Sequence, residues 1–145
     1  MPLSHLTARV SQALLLSFGV NAAASGRELM LAGGAIRVAG PCAGVGQIAQ
    51  LLVIAGIFLL AFPLPFHRSR FWMLFAAPLV AFFGNVVRIV LLAVINASNW
   101  TNKDWWFDFF HEDTGSMVFA AISVSVFGSL YITVLEKQLR LLDER

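Results

Sequence analysis

Residues 114–135 carry no formal charge over 22 positions, and residues 42–62 carry none over 21. Runs of that length constrain the chain more than any other feature in it. About 20 helical residues, each rising 1.5 Å, cross a hydrocarbon core about 30 Å thick. A surface helix of a soluble protein sets charged residues on its solvent side, and neither run has such a side. Two more apolar stretches complete the set. Residues 71–97 are interrupted by Arg88 alone, and residues 6–24 by Arg9, Gln12, Ser17 and Asn21. Charged residues make up 12% of the chain, against roughly 25% in soluble domains. The net charge of +2 is too small to draw nucleic acid. The expected fold class is an all-α integral membrane protein. It would be one membrane domain over residues 1–145, with about four transmembrane helices at 6–24, 42–62, 71–97 and 114–135 and a cytoplasmic tail at 136–145.

The first of these stretches has a second reading. Arg9, the apolar "ALLLSFGV" and the small residues "NAAAS" also suit a secretory signal cleaved near Ala24. A retained span is preferred, because the next segment is not a soluble domain to export. Basic residues then orient the chain. With both termini in the cytoplasm, the inner side holds Arg9, Arg68, Arg70, Lys137, Arg140 and Arg145, and the outer side Arg27, Arg37 and Lys103. That distribution follows the excess of Lys and Arg on cytoplasmic loops. Trp72 falls at the inner end of its helix and Trp100, Trp105 and Trp106 just beyond the outer end, at the headgroup level that indole rings prefer.

Between the first two spans, "GRELMLAGGAIRVAGP" has two short apolar runs flanking Gly33-Gly34, a pair that readily takes the positive φ angles of a tight turn. A short outer-surface β-hairpin is expected over residues 27–40, with Gly40-Pro41 ending it and opening the next helix. The triplets "NAS" and "NWT", beginning at Asn96 and Asn99, match the glycosylation pattern but arise often by chance. The sequence has no phosphate-binding glycine loop, no CxxC and no cluster of metal ligands, so neither metal nor other cofactor is expected. A single cysteine excludes an internal disulfide.

Three polar residues in or beside the apolar runs stand out. Arg88 lies in a membrane segment, where an arginine at mid-helix costs about 2.5–3.5 kcal/mol on insertion scales. It either snorkels to the headgroups or faces protein, and Asn85, one turn earlier on the same face, favours the second. Cys42 is either a small buried hydrophobe or a nucleophile at a helix start, where unpaired backbone N–H groups favour a thiolate. His111, in "HEDTG", is either an interface residue before the caps Asp113 and Thr114 or a proton acceptor held neutral by the helix end. Gly115 would let a neighbouring helix come close. Helix parity bears on all of these alternatives. Cys42 and His111 each begin a helix and one span separates those helices, so both lie on one membrane face, whichever it is. Arg88 lies in the half of the intervening helix nearest that face. A thiol, an imidazole and a guanidinium thus share one leaflet, a set suited to cysteine acyl transfer.

The motifs "PCAGVG" around Cys42, "NVVRI" around Arg88 and "HEDTG" around His111, in this order, resemble those of the exosortase/archaeosortase family over about residues 27–135. That family is proposed to act as membrane transpeptidases on proteins with C-terminal sorting signals. The resemblance implies a membrane cysteine protease or transpeptidase with Cys42 as nucleophile, Arg88 as transition-state stabiliser and His111 as proton acceptor and donor. Asn85 is the preferred residue behind them, orienting Arg88 or His111. The implied partners are tail-anchored substrate proteins and membrane lipid, with the site on the outer face of the cell membrane. Two departures matter: Ala43 stands where many members have serine, and larger members carry extra spans before the core. Soluble sortases share only the Cys, His and Arg roles, and nothing here suggests their β-barrel. The competing functions are a non-catalytic assembly or chaperone protein, in which the motifs only pack helices, and a small transporter using Arg88 to bind an anion. Helix interiors without acidic residues leave the transporter short of a means of proton coupling.

Overall fold

The computed structural model describes residues 2–38 and 41–144, Pro41 and Asp113 through their backbone only. In chain order the elements are α1 (Pro2–Ser17), β1 (Ala22–Ser25), β2 (Glu28–Leu31), β3 (Gly34–Arg37), a 3₁₀ turn (Pro41–Ala43), α2 (Val45–Ala61), α3 (His67–Ala97), α4 (Lys103–His111) and α5 (Asp113–Asp143). The molecule is mostly helical, with one small antiparallel sheet in the order β1-β2-β3.

Local chemistry explains the boundaries. α2 stops at Ala61 because Pro63 follows, and the residue before a proline is pushed out of helical geometry. Phe62 accordingly has φ −132° and ψ 71°. α3 and α5 each have 31 residues, which is about 46 Å of helix. Both are long and apolar enough to cross a membrane, and α2, with 17 residues, is a shorter apolar helix.

The packing divides into two cores along α3. One joins Leu51 and Ala55 of α2, Met73, Ala77 and Ala81 of α3, and Phe127 and Tyr131 of α5. The other joins Ala8 and Leu15 of α1, Leu29 and Ile36 of the sheet, Cys42, and Ile89, Leu92 and Ala93 of α3. Small residues let the helices of the first core approach. A Cβ on Gly84 of α3 would collide with Ser123 Oγ of α5 and lie 3.5 Å from Gln47 Nε2 of α2. Asn85 and Arg88 occupy the short stretch of α3 between the two cores.

The stretch expected as a first span, residues 6–24, divides in two. Its helix ends at Ser17, Gly19 takes φ +76°, and Ala22 begins a strand. Alanines 22–24 have low strand propensity, but their backbone pairs with Leu29–Leu31 of β2, and pairing overrides propensity. Gln12 Nε2 donates to the Ala22 carbonyl at 3.1 Å, folding β1 back along α1. Among the described residues α1 packs against α3, β1, β2 and the 3₁₀ turn, with no contacts to α2 or α5.

The expected hairpin is present but forms two-thirds of a three-stranded sheet. Its turn is Ala32-Gly33, with Leu31 opposite Gly34. Neither Gly33 nor Gly34 has a positive φ. Their reason is close approach: a Cβ on Gly33 would collide with the Ala97 carbonyl at the end of α3, and one on Gly34 would lie 2.8 Å from Asn96 Nδ2. Asn96 also donates to the Ala35 carbonyl at 3.2 Å, fastening β3 to α3. Gly40, expected to end the hairpin, lies outside the described residues, as does Arg145.

Candidate active site

Cys42 sits inside the 3₁₀ turn, two residues ahead of Gly44, which caps α2 with φ +87°. It therefore precedes the first turn of α2 instead of occupying it, and the helix-end effect expected for its thiol does not come from α2. The turn is held from α3. Asn85 Nδ2 donates to the Cys42 carbonyl at 2.9 Å. A Cβ on Gly44 would lie 2.8 Å from that same Nδ2, so the left-handed bend and the hydrogen bond fit together only with glycine. The expectation that Asn85 orients Arg88 or His111 is thus replaced by a different contact: it holds the backbone of Cys42. Ala43, where serine was noted in relatives, is fully buried.

His111 also differs from its expected setting. It is the last residue of α4 instead of the first of the following helix. Glu112 stands at the boundary with α5, and no side-chain cap bond forms there. The side chain of the expected cap Asp113 lies outside the description. The approach expected at Gly115 is present, since its Cβ would fall 2.6 Å from the Phe110 carbonyl oxygen.

What α4 contributes is a firm seat for the imidazole. Phe107, one helical turn earlier, stacks on the ring at 5.3 Å between centroids and 13° between planes. The ring points its Nε2 at Cys42 Sγ, 4.0 Å away. That is long for a hydrogen bond, but catalytic pairs commonly tighten only when substrate closes on them. Arg88 fixes the other end of the residue. Its Nε donates to the Phe110 carbonyl at 3.0 Å and its Nη2 to the His111 carbonyl at 2.8 Å. The last carbonyls of a helix lack partners within it, so a buried guanidinium with forked donors suits this position.

Cys42 is 8% exposed, Arg88 5% and Asn85 fully buried, whereas His111 is exposed. The structure therefore brings the three residues singled out by parity to one place: thiol against imidazole, guanidinium beneath the imidazole's backbone. Phe107 and Gly44 were not among the residues singled out. A helical reading of "KDWWFDFFH" would have revealed Phe107, because positions four apart share a face.

Replacing Asn85 with leucine is expected to change the reaction rate of the Cys42 thiol at least about tenfold, since misplacing a reacting group by about 1 Å changes rates by that order or more. Asn85→Asp is expected to do the same, because a carboxylate cannot donate to the Cys42 carbonyl. Alkylation of Cys42 by a small maleimide, timed for each variant at equal membrane abundance, checks this independently of any substrate. Unchanged kinetics would remove Asn85 from the site.

The sequence matches the family described as Transmembrane exosortase (Exosortase_EpsH) over residues 1–128, which takes in Cys42, Asn85, Arg88 and His111 together. No curated protein and no solved structure matches the chain. With the match covering 128 of 145 residues and the apolar helices long enough to span a bilayer, the chain is a membrane protein that belongs to the transmembrane exosortase family.

Proposed function

We propose that this protein is a membrane cysteine transpeptidase that cleaves C-terminal sorting signals of exported proteins through a thioester on Cys42. The observation that carries the reading is the 4.0 Å approach of Cys42 Sγ to His111 Nε2, with Arg88 gripping the His111 carbonyl. His111 takes the thiol proton as the sulfur attacks the substrate carbonyl carbon. The positive charge of Arg88 stabilises the developing oxyanion, and the imidazolium returns its proton to the leaving amine as the C–N bond breaks. Water or an acceptor amine or hydroxyl then attacks the thioester and releases Cys42 as a thiol.

The reaction faces the outside of the cell membrane. Arg68, Arg70, Lys137 and Arg140 cluster at the opposite ends of α3 and α5, which supports a cytoplasmic position for that end under the positive-inside rule. α2, α3 and α5 are the spans. α1, which packs only on the Cys42 end of the molecule, lies with the sheet on the outer side, so the amino-terminal end need not be cytoplasmic. A cysteine placed at Arg9 in a Cys42→Ala background is expected to react with an impermeant maleimide added to intact cells. Labelling only after permeabilisation would return α1 to a spanning role.

The transpeptidase reading is tested by co-expression with a reporter. The reporter carries the tail of an exported protein from the same genome that ends in a short motif, an apolar helix and basic residues. Wild type is expected to shorten the reporter. His111→Ala is expected to slow this by about 10²–10⁴-fold, the usual contribution of a general base, at normal membrane abundance. If wild type leaves every such reporter intact, the reading fails; if His111→Ala and its companions merely vanish from the membrane, the motifs pack helices and do no chemistry.

A further inference from the structure

On the cytoplasmic side of the Cys42 turn, α2, α3 and α5 border a cavity of about 880 Å³ that reaches Gly44, Asn85 and Arg88, and Gln47 Nε2 of α2 donates to Ser123 Oγ of α5 at 3.2 Å beside it. α2 and α5 meet again lower down, where the Tyr131 hydroxyl donates to the Phe62 carbonyl at 2.6 Å and its ring meets Phe58 edge-on. Gln47 and Gln50 line the cleft from α2, Asn85 and Arg88 from α3, and Ser116 and Ala121 from α5. Met117, Ala120, Ala121 and Val124 give the cleft an apolar wall on α5, facing the polar groups of α2 and α3. Amide side chains at membrane depth are costly unless they meet polar partners; Gln47 meets Ser123 Oγ, and Asn85 is left with an unmatched oxygen.

Asn85 makes the mismatch specific. It is fully buried and lines the cleft, its Nδ2 is engaged with the Cys42 carbonyl, and its Oδ1 has no hydrogen-bond partner among the described residues. The missing partner is a donor arriving at the head of the cleft, next to the nucleophile.

A substrate of the proposed reaction brings such donors. A peptide bond must leave helical pairing before a thiolate attacks it, and unwound backbone at membrane depth is tolerated only where protein satisfies its N–H and C=O groups. We infer that the α2–α5 cleft seats the substrate's membrane segment on the leaving-group side of the scissile bond. Its first turn is unwound there, with backbone N–H groups directed to Asn85 Oδ1 and the side chains of Gln47 and Gln50. This inference rests on the transpeptidase reading. It adds where on this chain the substrate's membrane segment sits and which residues hold its unwound turn.

Cys42 is the chain's sole cysteine, which allows a clean test. In a Cys42→Ala background, Ala121→Cys is paired under mild oxidation with cysteines scanned through the first residues of the reporter's apolar segment. Ile122→Cys serves as control, since Ile122 is 51% exposed and is not part of the cleft lining. Disulfides from Ala121 at a few adjacent reporter positions, with none from Ile122, are expected. Equal yields from both, or no adduct from Ala121, overturn the inference. Separately, Ala121→Trp with Cys42 intact is expected to reduce processing at least tenfold while a small maleimide alkylates Cys42 at the wild-type rate. Full processing by Ala121→Trp also overturns the inference and leaves the cleft to lipid. If wild type processes no reporter, the transpeptidase reading fails with it; if wild type processes the reporter and the Ala121 results are negative, only the cleft assignment fails.

Discussion

Replacing Cys42 with alanine is expected to reduce reporter processing by at least about 10³-fold, which corresponds to about 4 kcal/mol of lost transition-state stabilisation. The substitution removes one sulfur atom from a site that is 8% exposed, so the fold loses little: a small gap beside Ile89 and Leu92, worth about 1 kcal/mol in packing. Under the proposed mechanism the lost sulfur is the atom that forms the covalent intermediate, and neither His111 nor Arg88 can replace it. Cys42→Ser keeps a nucleophilic atom in nearly the same place but with a proton held far more tightly. It is expected to retain no more than about one part in 10² of the activity. Quantitative blotting of precursor and product, normalised to the amount of enzyme in the membrane, measures both variants. Processing by Cys42→Ala within tenfold of wild type would remove cysteine chemistry from the account.

Arg88→Ala is expected to be nearly as damaging, and for two separable reasons. The first is chemical: a missing cation at a developing oxyanion usually costs about 10²–10³-fold in rate. The second is positional. Arg88 holds the carbonyls of Phe110 and His111 through Nε and Nη2 at 3.0 and 2.8 Å. Without it the end of α4 loses two charge-assisted hydrogen bonds at partly buried carbonyls, each worth up to about 1.5–3 kcal/mol. His111 then loses its fixed relation to Cys42. Arg88→Lys separates the effects. A lysine keeps the charge but presents one compact ammonium and cannot reproduce the forked grip. It is expected to recover less than about a tenth of the activity, because position as well as charge sets the rate. Full activity in Arg88→Lys would mean that charge alone suffices. Membrane abundance measured in parallel distinguishes a mispositioned site from a protein that fails to assemble.

The parts of this architecture that were legible in the sequence are those decided by local composition. α5 follows from a long run without charges, α3 from an apolar run broken by Arg88 alone, and the end of α2 from the prolines after it. The meeting of Cys42, Arg88 and His111 was reachable because parity along alternating helices depends only on counting crossings between them. The first segment was harder. Hydropathy reads residues 6–24 as one apolar stretch, and nothing in "NAAAS" announces a strand, since those alanines are placed by the backbone of β2 and not by their own preference. Gly33 and Gly34 were correctly marked as special but for the wrong reason. Their tight neighbours, Ala97 and Asn96, are more than 60 positions away along the chain. α4 lies between two expected spans, where the tryptophans of "DWWFDFF" read as residues at headgroup level and no helix was expected. Treating it as a helix places Phe107 under His111 and puts His111 at the end of one helix instead of the start of the next. The partner of Asn85 was out of reach for a related reason: it is a backbone carbonyl in a turn whose bend depends on Gly44.

The central claim is that Cys42 carries a covalent acyl group in turnover, and the acyl-enzyme tests it most directly. Membranes containing wild-type protein and the tail-bearing reporter, quenched in acid during processing, are digested and examined by mass spectrometry. The expected result is a Cys42 peptide carrying the carboxyl end of the trimmed reporter, released by neutral hydroxylamine and present in His111→Ala only in trace amounts. Processing that proceeds with Cys42 never acylated, or with the acyl group on another residue, would contradict it.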